Sequence, residues 1–153
     1  KFKIIKSQNN KDYALIDYEN NLINKLIENN QIKSKVIKIN YLKYNKYFKK
    51  INNIYFNNYS NKKNLSFVFS IAKILKLDFK TVINTANKFK GLDYRQQIIY
   101  KSKKLLIIND SKSTSFSSTV PLLESYKNIY WILGGLAKKG DQLKLKKKIY
   151  FKY

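Results

Sequence analysis

The 153-residue chain has no cysteine, no histidine and no methionine, and it carries one proline, one tryptophan and four glycines. Without cysteine there can be no disulfide and no thiolate-held metal, although that absence says nothing about redox compartment. The lack of histidine excludes more. Serine–histidine catalysis, imidazole general bases and zinc sites built on His or Cys are all closed to this chain. Any metal would have to be a hard ion held by oxygen ligands, magnesium first. No run of about 18 apolar residues is available to span a bilayer, and no short apolar segment is flanked as a signal peptide would be. A soluble cytoplasmic protein without a membrane partner is therefore expected. The sequence opens on Lys1 instead of Met, which suggests a piece of a longer protein.

Negative charge is also scarce: 9 acidic residues stand against 32 basic ones, a formal charge of +23. Such a balance ordinarily points to nucleic acid or an anionic membrane. Here all but one of the basic residues are Lys, spread over nearly every segment, in a background crowded with Asn, Ile, Tyr and Phe. That is the mark of an AT-rich coding sequence, and a solvated basic surface is the reading it favours, with no nucleic-acid partner. The competing reading is a basic RNA-binding or ribosome-associated module. It would call for an Arg and aromatic cluster on one surface, and the single Arg95 and the lack of an RNP-like segment speak against it.

Apolar periodicity outlines the elements. "DYALID" and "KVIKIN" read as strands around a helix in "NNLINKLIEN", and "IYF" at 54–56 reads as a third strand or edge ribbon. "NLSFVFSIAKIL" is too long and too continuously apolar for a strand, so it predicts a buried helix capped by Ser60 or Asn61. Asp78 offers an N-cap to a second helix with one apolar stripe, Phe79, Val82, Ile83, Ala86 and Phe89, which Gly91 would end in the C′ position. "QQIIY" and "KKLLIIND" suit a hairpin. A helix opened by Thr119 and Pro121 and a strand "IYWIL" at 129–133 complete the pattern. Strands alternating with helices predict an α/β fold with mainly parallel pairing and a boundary near Gly91.

Four clusters could carry chemistry. Asn109, Asp110, Ser111, Lys112 and Thr114 fall where a strand gives way to a loop, a favoured ligand position in open α/β sheets, and equally a place for an Asx or Ser turn. "GGLAKKGD" follows the next strand in the same way and brings Lys138 toward the same edge, either as a glycine turn or as a loop that lets backbone approach a ligand. It is not a phosphate loop of the Gly-Lys-Ser type, because Asp141 stands where Lys would have to follow Gly140. Arg95 in "GLDYR" is the only guanidinium, suited to bidentate contact with phosphate or carboxylate if it is not a chance surface residue. Asn61 and Asn64 in "SNKKNL" lie one helical turn apart, where their amides could read a base or sugar edge; coincidence is the alternative in a chain so rich in Asn.

Taken together and in this order, the clusters resemble the Mur ligases of peptidoglycan synthesis, specifically the branch that adds D-glutamate. "INDSKSTSFSST" resembles that branch's NDSKATN segment, "ILGGLAKKGD" its LGG segment with Lys, "GLDYR" its GLPHR and "SNKKNL" its HNxxN. "KFKIIKSQNNKDYALIDYEN" is similar to its AKxxIxxNQxxxDxxxxN stretch, with Lys1 on the motif lysine. Ser60, Asp93, Tyr94, Ser113 and Ser115 depart from the family residues.

The resemblance implies an ATP- and magnesium-dependent ligase that joins D-glutamate to UDP-N-acetylmuramoyl-L-alanine through an acyl phosphate, working as a monomer. It implies that residues 1–90 are the second half of the central ATP-binding domain and that 91–153 begin a Rossmann-like, amino-acid-binding C-terminal domain. Lys1 would be the carbamylated lysine that helps to hold magnesium. Asn61 and Asn64 would face the adenosine, Asp110 the ribose and Arg95 the nucleotide near its phosphates. Lys112 would stand by the reacting groups, and Thr114 and Lys138 would receive D-glutamate. The chain alone is expected to be inactive, for want of the family's phosphate-binding loop.

Overall fold

The computed structural model describes residues 2–136 and 138–145 and contains both helices and strands. In chain order these are α1 (Phe2–Ser7), β1 (Tyr13–Asp17), α2 (Asn21–Glu28), β2 (Lys35–Ile39), a 3-10 turn (Tyr41–Tyr44), α3 (Asn45–Phe48), a second 3-10 turn (Ile54–Phe56), α4 (Tyr59–Ile74), α5 (Phe79–Lys88), β3 (Gln97–Lys101), β4 (Leu106–Asn109) and α6 (Phe116–Leu123). Two compact units emerge, one from Lys1–Lys50 with Asn64–Ile83, the other from Ile51–Lys63 with Asn84–Tyr153. No described helix is long and apolar enough to cross a membrane.

The first unit is built on apolar periodicity. β1 and β2 pair in parallel, Ala14 beside Val36 and Asp17 beside Ile39, with α2 as the connection that a parallel pair requires. Alternation along β1 buries Ala14 and Ile16, and spacing along α4 buries Leu65, Phe69 and Ala72. Phe69 is completely buried, with Tyr44 and Tyr47 stacked on it at 5.6 and 5.3 Å between centroids and Phe79 at 5.4 Å. Such ring pairs each add about 0.5–1.5 kcal/mol beyond the area they bury. Only one stripe of α4 is covered, however. Val68 and Ile71 on its other positions are exposed, as is Leu75 just past its end.

The second unit holds an antiparallel hairpin. β3 and β4 pair Gln97 with Asn109 and Lys101 with Leu106, with an irregularity between Ile98 and Tyr100. Among the described residues parallel pairing thus does not dominate: there is one two-stranded parallel sheet and one two-stranded antiparallel sheet. The buried apolar residues described in the second unit are Ala86 from α5 and Leu122 and Leu123 from α6.

Several expected boundaries moved, each because a polar side chain supplies a cap that hydropathy does not register. Residues 54–56 form a 3-10 turn and no strand, since Asn53 Oδ1 accepts from the Tyr55 N–H at 3.0 Å. α4 begins at Tyr59, capped not by Ser60 or Asn61 but by the buried Asn58, whose Oδ1 accepts from the Asn61 N–H at 2.8 Å. α5 ends at Lys88, before Gly91 could serve as C′; its last carbonyls are met by Asn53, whose Nδ2 donates to Ala86 and Phe89 at 2.9 and 2.7 Å. Asp78 does cap α5, accepting from the N–H groups of Lys80 and Thr81, and those bonds hold its carboxyl below the usual carboxylate range.

α6 starts at Phe116 instead of Thr119. Ser115 caps it, and the Asp141 carboxylate takes the Phe116 N–H at 3.0 and 3.2 Å, so Pro121 lies inside the helix. Residues 129–133 make no strand. Ile129 is a single bridge residue, the pairing does not extend along 130–133, and Ile132 is left 96% exposed.

Candidate functional site

The clusters at 58–61, 94–96 and 110–114 all belong to the second unit, and a continuous polar network joins them. The hairpin is what makes this possible. Pairing Gln97 with Asn109 puts the residues before β3 next to those after β4, although 14 positions separate Gln96 from Asp110. The Gln96 N–H donates to Asp110 Oδ1 at 3.0 Å, and Ser113 Oγ donates to Asp110 Oδ2 at 2.7 Å. Each carboxylate oxygen keeps a second lone pair, so Asp110 can still accept from a hydroxyl donor while its position is fixed.

On the α4 side, Asn61 Nδ2 donates to the Tyr55 carbonyl at 2.7 Å and to Gln96 Oε1 at 2.9 Å. Asn58 Nδ2 does the same at 3.3 and 2.9 Å. Both amide protons of Asn61 are thereby engaged, which leaves its carbonyl Oδ1, an acceptor, for a partner that brings a donor.

Tyr55 stands among these groups. Burial pushes its phenol pKa above the usual value, the Asp110 charge pushes it further, and the Arg95 charge partly opposes them. The charges of Arg95 and Asp110 thus both act on Tyr55, and the Arg95 side chain is exposed. The loop around Arg95 is strained. Tyr94 and Gln96 on either side of it have φ of +62° and +51°, a region that side chains beyond glycine rarely occupy and that costs of order 1–3 kcal/mol each. Gly91 is needed for a different reason, since a Cβ there would lie 3.1 Å from the Tyr55 ring and its φ is +83°.

Lys112 is held by Tyr94: its backbone N–H donates to the Tyr94 carbonyl at 3.1 Å and its Nζ lies 5.6 Å from the centre of that ring. Tyr94 is one of the residues that depart from the family motif. Asn109 makes the Asx turn that was the plainer alternative, its Oδ1 accepting from the Ser111 N–H at 3.0 Å, so turn and polar cluster coexist. Lys138 Nζ donates to Thr114 Oγ1 at 3.0 Å across 24 residues of sequence, joining the two segments thought to receive one ligand. Both side chains are exposed and free to engage a carboxylate.

Not every expected residue joins the network. Asn64 is exposed and belongs to the first unit. Lys1 lies outside the described residues. Among the described residues no group of three or more acidic side chains could hold a metal ion, so these residues by themselves do not fit magnesium. Sequence reasoning missed Asn58, Tyr55 and Gln96, which sit beside the motifs instead of in them; Asn58 alone carried a signal, as a short polar residue just ahead of an apolar helix.

Comparison with known proteins agrees with the motif reading. The chain is 41% identical over 81 residues to the UDP-N-acetylmuramoylalanine–D-glutamate ligase of the Wolbachia endosymbiont of Brugia malayi, covering 53% of this chain and 16% of that protein. It is 36% identical over 90 residues to the ligase of the same name from Wolbachia pipientis wMel, covering 59% and 18%. With that of Francisella tularensis subsp. tularensis it shares 42% over 84 residues, covering 53% and 20%. No protein-family profile matches, and no solved structure does. The chain thus spans a fifth or less of the length of these curated relatives. Over about half its length it is related to a family of ligases. The relatives named above are D-glutamate ligases, as the NDSK and GG–Lys segments implied.

Proposed function

We propose that this chain is part of a cytoplasmic, monomeric, ATP-dependent amide ligase that adds D-glutamate to UDP-N-acetylmuramoyl-L-alanine. In this reading residues 1–90 come from the central ATP-binding domain and 91–153 from the start of the amino-acid-binding domain. The observation that carries it is the hydrogen bond between Thr114 and Lys138, which brings the NDSK segment and the GG–Lys segment to one point within a single unit.

The chemistry asks for positioned charge more than for covalent help from the protein. The substrate carboxylate attacks the γ-phosphorus and ADP leaves; the D-glutamate amine then attacks the acyl carbon, phosphate leaves, and the nitrogen loses its extra proton. Lys138, with Thr114 as its hydroxyl partner, would bind and orient a carboxylate of D-glutamate. Lys112, steered by Tyr94, would place its ammonium beside the oxygens that gather negative charge, and such preorganised charge stabilises a transition state without further rearrangement. Asp110 would accept from ribose hydroxyls, and the Asn61 carbonyl would accept from the amine of adenine. Arg95 would meet phosphate oxygens. Magnesium would supply charge neutralisation at the phosphates, and no step here is assigned through it.

The test is a titration of the isotope-labelled 153-residue chain with ADP, D-glutamate and L-glutamate, read by NMR. ADP should move the signals of Asn61, Arg95 and Asp110, and D-glutamate those of Thr114 and Lys138 in preference to its enantiomer. Silence at all five positions, or identical responses to the two enantiomers, would overturn the proposal.

A further inference from the structure

Gln96 belongs to none of the motifs, yet it makes contacts in two directions. The Tyr55 main-chain carbonyl can only accept, so Asn58 and Asn61 must both turn their Nδ2 groups toward it. Each then has a second amide proton that needs an acceptor, and the one oxygen Oε1 of Gln96 receives both at 2.9 Å. Its own backbone N–H holds Asp110 Oδ1 at 3.0 Å. To do both at once the residue adopts a φ of +51°, where side-chain-bearing residues are rare. One residue thus ties the N-terminus of α4 to the end of β4 within the second unit.

The geometry points to Gln96 as a positioning residue of the nucleoside site, which together with the Tyr55 carbonyl fixes which end of the Asn61 amide is left to a ligand and together with Ser113 fixes where the Asp110 carboxylate stands. This inference rests on the nucleotide-binding reading above. Without an acceptor at Gln96, the Tyr55 carbonyl alone still holds the Asn61 amide, and a flip that presents NH2 in place of the carbonyl has one opposing hydrogen bond instead of two. The recognition that depends on this is the choice between a donor and an acceptor at position six of a purine. Adenosine carries an amine there, inosine a carbonyl. General destabilisation lowers the affinity for both nucleosides together, whereas weakened orientation narrows the difference between them.

The full chain, labelled with nitrogen-15, is titrated with adenosine and with inosine in three forms: unaltered, Gln96→Leu and Gln96→Glu. Gln96→Met, which keeps the length and loses the acceptor, replaces Gln96→Leu if that variant does not fold. In the unaltered chain and in Gln96→Glu, the Asn61 amide protons should be slow to exchange and adenosine should be preferred. In Gln96→Leu those protons should exchange faster, adenosine affinity should fall about ten-fold, as expected for one lost hydrogen bond, and the preference should narrow. Unchanged amide signals and preference in Gln96→Leu overturn the proposal, as does a Gln96→Glu chain that behaves like the leucine variant. Absence of adenosine binding by the unaltered chain overturns the nucleotide reading and the nucleoside part of this proposal; the amide signals still decide whether Gln96 fixes Asn61 and Asp110.

Discussion

The two units are held together by different kinds of contact. In the first, Phe69 is sealed among Tyr44, Tyr47, Phe48 and Phe79, and burial falls on aliphatic and aromatic groups of β1, β2 and α4 together with the small hydroxyls of Ser34, Ser66 and Ser70. In the second the buried polar residues are two amides, Asn58 and Asn61, wired to Gln96 and through it to Asp110. Apolar packing is roughly proportional to area and tolerates exchange of one hydrocarbon shape for another. A buried hydrogen-bond network is directional, and an unmet partner costs about 1–3 kcal/mol. The residues proposed to read a ligand are found where geometry is enforced by hydrogen bonds.

The contrast can be broken at its strongest point first. Phe69→Ala should lose about 3–5 kcal/mol of stability by emptying the centre of the ring cluster, measured by urea unfolding followed by circular dichroism. Phe69→Leu, smaller but apolar, should cost clearly less. Asn61→Leu should cost about 1–3 kcal/mol by leaving the Tyr55 carbonyl and Gln96 Oε1 short of donors, despite adding hydrocarbon to a buried position. If Asn61→Leu proves neutral while Phe69→Ala is severe, the network is not what orders the second unit.

Lys138→Gln should leave unfolding midpoints within about 0.5 kcal/mol, as for an exposed surface position, while weakening D-glutamate binding by about ten-fold or more through loss of a charged donor. A calorimetric or NMR titration separates the two effects.

The smallest effect is one of pH. Tyr55 has its pKa raised by burial and by Asp110, so the folded chain keeps that proton when the unfolded chain has begun to lose it. Its contribution is complete below the unfolded value of 10.0 and declines as pH rises through the higher folded value. Unfolding midpoints should therefore drop above pH 10, and Tyr55→Phe should flatten part of that drop; Tyr126, raised by burial alone, should supply a similar slope.

Much of the first unit was legible as elements. The alternation of "YALID" agrees with the burial of Ala14 and Ile16, and the long apolar run marked α4 as a helix, but continuous hydropathy could not tell its buried Leu65, Phe69 and Ala72 from its exposed Val68 and Ile71. The hairpin was legible too, from two apolar runs and a short polar link. What hydropathy could not show were ends set by side chains far away in sequence: Asn53 closing α5, Asp141 opening α6. The same holds for the site. Its charged residues stood out in motifs, whereas Gln96 has meaning only through contacts 35 and 38 residues distant. Ser113 and Ser115, which departed from the motif, found local tasks as the Asp110 partner and the α6 cap.

The irregular pairing in the β3–β4 hairpin carries a consequence for inheritance. Residues 102–105 link the strands outside the ladder, so gain or loss of a residue there changes only the length of an exposed turn. Within the strands, away from the irregularity at Ile98–Tyr100 that already absorbs one extra residue in β3, the same event would slip the ladder by one place and send alternate side chains to the opposite face. Gln96 and Asp110 would then part company. Length variation among relatives should accumulate at the hairpin tip and stay out of its two strands.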